Sequence, residues 1–208
     1  MGVLYTIGHS RYEFEYFVNL LKKFEINYLL DVRSTPYSKY AETFNKEQLE
    51  SLLFAKGIKY FFMGKFFGAR PNNIDLYSKE GYLDFEKTSH SDLFVKGMES
   101  VKLGLERENN IVLMCTEKDP IDCHRAIMVA RAFSLDGIDV KHILPNGKLQ
   151  TQQELDRRLL NRYFPDRAQL SLFDYNASVS DEENIKLAYQ ERNKEIGYYL
   201  KQEERAIV

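Results

Sequence analysis

Apolar positions alternate along the chain between short runs and helical stripes. "VLYTIG" opens as a β-rich run. "SRYEFEYFVNLLKKFEI" then sets Phe14, Phe17, Val18, Leu20, Leu21 and Phe24 at the spacing of one helix face, with Ser10 as the expected N-cap. "NYLLDVRS" reads as a second strand, and "FNKEQLESLLFAKG" as a helix capped by Asn45 and ended by Gly57. "IKYFFMG" is a third strand. Residues 65–92 mix Gly, Pro, Asn and aromatics and are expected to form a long functional loop with a short helix. "DLFVKGMESVKLGLERE" predicts a helix, "NIVLMC" a strand, "HRAIMVARAFSLDG" a helix, "IDVKHIL" a last strand and "QTQQELDRRLLNRYF" another helix.

Strands alternating with helices predict an α/β fold with a mainly parallel, Rossmann-like sheet and helices on both faces. The strands are almost continuously apolar, as strands covered on both faces are. No internal repeat or low-complexity segment interrupts the pattern. After Pro165 the composition turns polar and ends in a charged, helix-like stretch. The expected organisation is an α/β core over residues 1–165 and a C-terminal extension, linker and terminal helix, over 166–208.

Composition narrows the class. The 208 residues are 44% hydrophobic and 29% charged, with a net charge of −2. These are proportions of a water-soluble globular chain, long enough for a real core. The charge gives no general attraction to nucleic acid or anionic membrane, so any such contact must be local. Two cysteines are too few for a disulfide framework and favour a reducing, cytoplasmic setting. "MGVLYTIGHS" lacks the basic and long apolar parts of a signal peptide. Met1-Gly2 with Thr6 fits a loose myristoylation pattern, but the residues between read as a core strand. No run approaches transmembrane length, and no membrane partner is expected.

Chemically capable residues follow the strands. His9 and Ser10 follow the first; Asp31, Arg33 and Ser34 close the second; Lys65 and Arg70 follow the third; Cys115, Glu117 and Lys118 close the fourth; His142 lies in the fifth. Strand carboxyl ends in an open parallel sheet line one edge, where ligands bind. One shared site is therefore expected, against the plainer reading that loops are polar anyway. Arg33, Arg70 and Arg125 are suited to anionic groups. In "DVRSTPYSKYAETFN", Tyr37 and Tyr40 could give a stacking wall for a base or sugar, or could simply pack.

"CTEKDPIDCHR" holds both cysteines, with His124 and Arg125 opening the next helix. A helix start carries free N–H groups and partial positive charge, which favour an anion and lower a thiol's pKa. Four readings stand for Cys115 and Cys123: a buried structural pair, a reactive thiolate beside His124, a reversible disulfide, or a metal site with His124 and His9 or His142. The spacing lacks the paired CxxC or HxxxH of common metal sites, so no metal ligand is assigned and the cofactor stays open. The expected catalytic set is Cys115, Cys123, His124 and His9. The ligand-binding set is Ser10, Asp31, Arg33, Ser34, Tyr37, Arg70, Glu117, Lys118 and Arg125.

"TIGHS", "DVRSTPYSKY", "FN", "GIKYFFMG", "FGARP", "CTEKDPIDCHR" and "VKHIL" together resemble the ordered motifs of the domain-of-unknown-function 488 family, from about residue 4 to residue 145. Ala69 stands where that family's pattern has a second glycine, and Lys39 where Arg is usual. The resemblance implies a Rossmann-like α/β fold with a polar site and brings no established activity.

"QLSLF", residues 169–173, resembles the peptide by which bacterial replication and repair proteins dock on the DNA polymerase sliding clamp. Gln169 offers a two-sided amide, and Leu170, Leu172 and Phe173 offer apolar anchors. A competing reading has Leu172 and Phe173 stapling the extension to the core. Three functional classes follow: an enzyme or nucleotide-handling protein binding or acting on a phosphate-bearing, nucleotide or nucleic-acid-related ligand; a non-catalytic DNA-maintenance accessory recruited to the clamp; and a structural domain with buried thiols.

Overall fold

The computed structural model describes residues 2–166 and 180–200. The clamp-like peptide at 169–173 lies outside the described residues. Six strands form one sheet: β1 (Leu4–Gly8), β2 (Tyr28–Asp31), β3 (Lys59–Phe62), β4 (Ile111–Cys115), β5 (Val140–Ile143) and β6 (Leu149–Thr151). Their order is β3-β2-β4-β1-β5-β6. All neighbours pair in parallel except β5 and β6, which are antiparallel. The order differs from that of dinucleotide-binding sheets by exchanging the places of β1 and β4.

Side-chain alternation along each strand feeds two apolar layers. Tyr5, Ile7, Leu29, Val112 and Met114 face one side, where they meet Phe17, Val18 and Leu21 of α1 (Phe14–Lys23) and Leu49 and Leu53 of α2 (Lys46–Phe54). Leu4, Leu30, Ile111, Leu113 and Cys115 face the other. That layer is closed by α3 (Gly64–Phe67), α4 (Phe85–Ser89), α5 (Asp92–Glu106), the helix holding Arg125–Ala130 and α6 (Arg131–Leu135), and α7 (Gln152–Tyr163). Cys115 thus ends a strand with its side chain turned toward the helix that begins after Cys123.

Local signals explain several boundaries. Gly57, at φ 79°, ends α2 as expected. Thr151 and Glu154 form a reciprocal capping box on α7. Ser10 does not cap α1: Glu13 holds that position, and Ser10 sits at φ 47° in the connection from β1. Asn45 stands at the N-cap of α2, but its side chain accepts from the Ser38 amide at 2.7 Å instead of from its own helix. Strand β6 was not anticipated; three residues after a Gly147 turn carry too little periodicity to register.

The terminal helix α8 (Asp181–Ile196) packs on the core. The Tyr189 hydroxyl donates to Asp156 of α7 at 2.5 Å, and the Asn193 amide bonds both Leu83 and Phe85. No helix among the described residues is long and apolar enough to cross a membrane.

Candidate functional site

Strands β1 and β4 are neighbours, with Gly8 opposite Cys115. The chain leaves β1 through α1 on one face of the sheet, toward β2. It leaves β4 through the helix beginning near residue 124 on the other face, toward β5. Neighbouring strands whose exits diverge open a crevice at their carboxyl ends. The two exits stay paired for two more residues: the His9 amide donates to the Cys115 carbonyl at 2.9 Å and the Ser10 amide to the Thr116 carbonyl at 2.8 Å. Residue 8 must be glycine here, because a Cβ would meet the Glu117 carbonyl oxygen at 1.8 Å.

The seven residues between the cysteines fold back on themselves. Asp119 caps a 3-10 turn at Pro120–Asp122 by accepting from the Ile121 amide. Arg158 of α7 grips the Asp119 carboxylate with both terminal nitrogens, at 3.0 and 2.7 Å. Arg192 of α8 donates to the Ile121 carbonyl and to the Asp122 carboxylate. This clamped turn returns Cys123 to Cys115. Glu117 Oε2 then lies 3.2 Å from Cys115 Sγ and 2.8 Å from Cys123 Sγ. His124 Nδ1 lies 3.8 and 3.9 Å from the same two sulfurs. The other imidazole nitrogen, Nε2, lies 3.0 Å from the Val32 carbonyl, so Nε2–H donates there and the Nδ1 lone pair points at the sulfurs. The ligand atoms of Cys115, Cys123 and His124 all fall within 4.8 Å of one another, a set able to hold a metal ion. Both thiols are free and buried.

Residues Arg125–Ala130 form a π-helical segment, a widened geometry frequent at functional sites. Arg125 is fully buried, with no carboxylate partner among the described residues. Its Nη1 donates to the Glu117 carbonyl at 2.7 Å, its Nη2 approaches the Lys118 carbonyl at 3.4 Å, and its Nε has no partner. A buried cation in this state calls for nearby negative charge.

The titration of the thiols follows from these contacts. The hydrogen bond with Cys123, then burial, pushes Cys115 well above the ordinary thiol value. Burial also works to raise Cys123, but the bond from Cys115, with Arg125 and His124 nearby, outweighs it and leaves Cys123 well below that value. Glu117 is exposed as a residue, but its carboxyl tip turns in against the two sulfurs, and desolvation there, then the charge on Cys123, raises it.

The other expected residues fall into three groups. Arg33 and Asp31 form a closed unit. Both Asp31 oxygens are taken, by Arg33 at 2.9 and 2.6 Å and by the Tyr60 hydroxyl at 2.8 Å. Arg33 also donates to the Phe44 carbonyl and approaches His9 Nε2 at 3.3 Å. His9 stacks on Phe44, and its Nδ1 bonds the Ser10 carbonyl at 2.8 Å. Both ring nitrogens are therefore engaged, and burial followed by the Arg33 charge pulls His9 down to about 4. These buried groups support the crevice from behind.

A second group faces solvent. Glu117 and Lys118 are exposed and line a cleft of about 660 Å³ whose other wall includes Pro145 and Arg158. Tyr37 is half exposed and donates to Glu47 at 2.6 Å, while Tyr40 is 86% exposed beneath the Arg11 guanidinium, 6.0 Å from its ring centre. Ser34 is half-buried beside Gly68.

A third group lies elsewhere. Exposed Arg70 stacks on Tyr198 near the end of α8, 4.6 Å from its ring centre. His142 is buried between Thr6 and Gln152. A larger concavity, of about 910 Å³, lies among α4, α6 and α8 and shares no residue with the cysteine centre; size alone does not outweigh the thiols, imidazole and orphan guanidinium at the sheet edge.

Sequence reasoning missed Val32, Phe44, Tyr60 and Arg11. Val32 and Phe44 act through backbone carbonyls, which leave no mark in residue type. Tyr60 was hidden in an apolar run. Arg11, three residues past the end of β1, is an exposed cation that residue type alone does not set apart.

No curated protein and no solved structure matches the chain. A family profile described as "Domain of unknown function DUF488" matches residues 13–132, a span that contains Arg33, both cysteines, Glu117, His124 and Arg125. With more than half of its length matched, the chain belongs to the DUF488 family.

Proposed function

We propose that the protein is a cytoplasmic enzyme that binds a phosphate-bearing ligand, a nucleotide or a nucleic-acid-related molecule, at the carboxyl ends of β1 and β4 and acts on it through the Cys115–Glu117–Cys123–His124 centre. The observation that carries this reading is Arg125: a fully buried guanidinium, without a carboxylate partner among the described residues, placed behind two thiols and an imidazole. Such a field attracts negative charge to the centre. The exposed rim supplies the rest of a recognition surface. Tyr37 and Tyr40 offer faces for a base, and Arg11 and Lys118 offer cations for phosphate. Arg33 enters this scheme as the residue that fixes His9, not as a direct phosphate contact.

Thermal shift measurements with nucleoside phosphates, dinucleotides and short single-stranded DNA test the proposal. Saturation to about a hundred times Kd stabilises by about 2.7 kcal/mol, which is roughly 5–10 °C for a chain of this size. One class should produce such a shift, and Arg11→Ala with Tyr40→Ala should abolish it while leaving the unliganded melting temperature in place. No shift with any of the three classes contradicts the proposal.

Residues 169–173 support an additional proposal, recruitment to the sliding clamp, on the strength of "QLSLF" itself. Leu172 and Phe173 would fill a groove and Gln169 would bond its rim.

A further inference from the structure

Four donor atoms of one strand–turn–helix connection converge on one point. Cys115 Sγ comes from a strand end, Glu117 Oε2 from the exposed loop, and Cys123 Sγ and His124 Nδ1 from the start of a helix. We propose that these four atoms form a divalent metal site of the zinc class. This deepens the reading above, because it names what the centre holds when it acts.

The distances come close to those a metal imposes. Zinc–sulfur and zinc–nitrogen bonds near 2.3 and 2.0–2.1 Å at a tetrahedral angle put sulfur about 3.6 Å from nitrogen. The observed separations are 3.8 and 3.9 Å. The carboxylate sits closer, at 2.8 and 3.2 Å from the sulfurs, and would move outward by a fraction of an ångström. It can do so, since Glu117 is exposed and lies on a loop.

Ligand chemistry and the surrounding shell point the same way. Two thiolates and an imidazole are the borderline-soft set that selects zinc over magnesium or calcium. The Val32 carbonyl holds Nε2–H, which leaves Nδ1 as the donor; metal-binding histidines are oriented in this way. Bound to a divalent ion, both sulfurs act as thiolates. With the Glu117 carboxylate, the set then carries a net single negative charge, the counterpart that buried Arg125 lacks.

The placement of the four ligands tells the kind of site. Cys115, Cys123 and His124 are buried, whereas Glu117 lines the 660 Å³ cleft. Three inner protein ligands and one exchangeable outer ligand describe an open site, in which a water or a phosphate oxygen can take the place of Glu117. Closed structural sites keep four protein ligands and leave no exchangeable position.

The test uses the full chain purified under reducing conditions without chelator. Elemental analysis should find about one zinc per chain. After zinc removal, cobalt(II) should give intense visible bands of tetrahedral cobalt together with thiolate-to-cobalt charge transfer. Cys123→Ser should lose most of the charge transfer. Glu117→Gln, a substitution on the exposed loop that leaves the core intact, should keep the spectrum but weaken cobalt binding at least about tenfold. Protein isolated without metal that gives no cobalt spectrum overturns the proposal. So does a cobalt spectrum that Cys123→Ser leaves unchanged, or a cobalt affinity that Glu117→Gln leaves unchanged. Nucleotide-induced thermal shifts are read separately, so a metal-free protein that still binds nucleotide would defeat this inference and leave the ligand reading standing.

Discussion

Gly8 and Glu117 touch backbone to backbone: a Cβ on residue 8 would fall 1.8 Å from the Glu117 carbonyl oxygen, the atom that also accepts from Arg125 at 2.7 Å. The first strand thereby fixes the height of the loop that carries Glu117. Gly8→Ala should push that loop outward, pull its carbonyl from Arg125 and spread the Cys–Glu–His cluster. Overpacking of this kind costs about 1–3 kcal/mol. The expected outcome is a melting temperature lower by several degrees, with hydrogen exchange raised first at residues 116–119. A Gly8→Ala protein with unchanged exchange in that loop would contradict the contact.

A second prediction concerns acid. His142 Nε2–H donates to Gln152 at 2.9 Å, Nδ1 accepts from Thr6 at 2.8 Å, Gln152 donates to Tyr189 at 2.6 Å and Tyr189 to Asp156 at 2.5 Å. The chain of bonds runs in one direction and needs His142 neutral. Burial, then the Arg125 charge, lowers His142 to about 3. The unfolded chain therefore binds a proton near pH 6.5 that the folded chain refuses until about pH 3. This contribution to stability is complete above about pH 6.5 and is lost as the pH falls toward 3, with a slope of up to about 1.4 kcal/mol per pH unit from this group. Denaturant titrations from pH 7 to pH 4 should show the slope, and His142→Gln should reduce it, leaving the share that His9, lowered to about 4, contributes. Equal slopes in the two proteins would remove His142 as its source.

The tail makes a third prediction. A synthetic peptide covering residues 166–176 should bind a bacterial sliding clamp by calorimetry. Leu172→Ala or Phe173→Ala should weaken it by about 2 kcal/mol, roughly thirtyfold, as for a buried anchor in a small interface. Replacing both in the whole protein should leave the melting temperature unchanged. Absence of binding heat, combined with a lowered melting temperature in the double variant, would assign these residues to the protein's own core.

Most of the fold could be read from periodicity, because long amphipathic stripes such as Phe14–Phe24 and apolar runs such as Ile111–Cys115 leave one solution each. The three-residue strand β6 could not, since its pairing with β5 depends on a turn and a register that no local pattern encodes. The site was legible in part. Strand-end position alone brought His9, Arg33, Cys115, His124 and Arg125 toward one edge, and the structure places them in contact or one residue apart. Direction was hidden. Nothing in residue type says that Asp31 would consume the Arg33 fork, that Arg125 would turn inward under the Glu117 loop, or that Arg70 would stack on Tyr198. Those outcomes depend on tertiary partners far away in sequence.

Ligand-induced amide shifts in the isotopically labelled protein test the central claim most directly. On titration with the nucleotide class that raises the melting temperature, shifts should concentrate at residues 9–11, 34–40, 116–118 and 124–125, around the carboxyl ends of β1, β2 and β4. Shifts confined to the amino-terminal edge of the sheet, or to the concavity lined by His90, Arg131 and Tyr189, would place the ligand elsewhere and contradict the account.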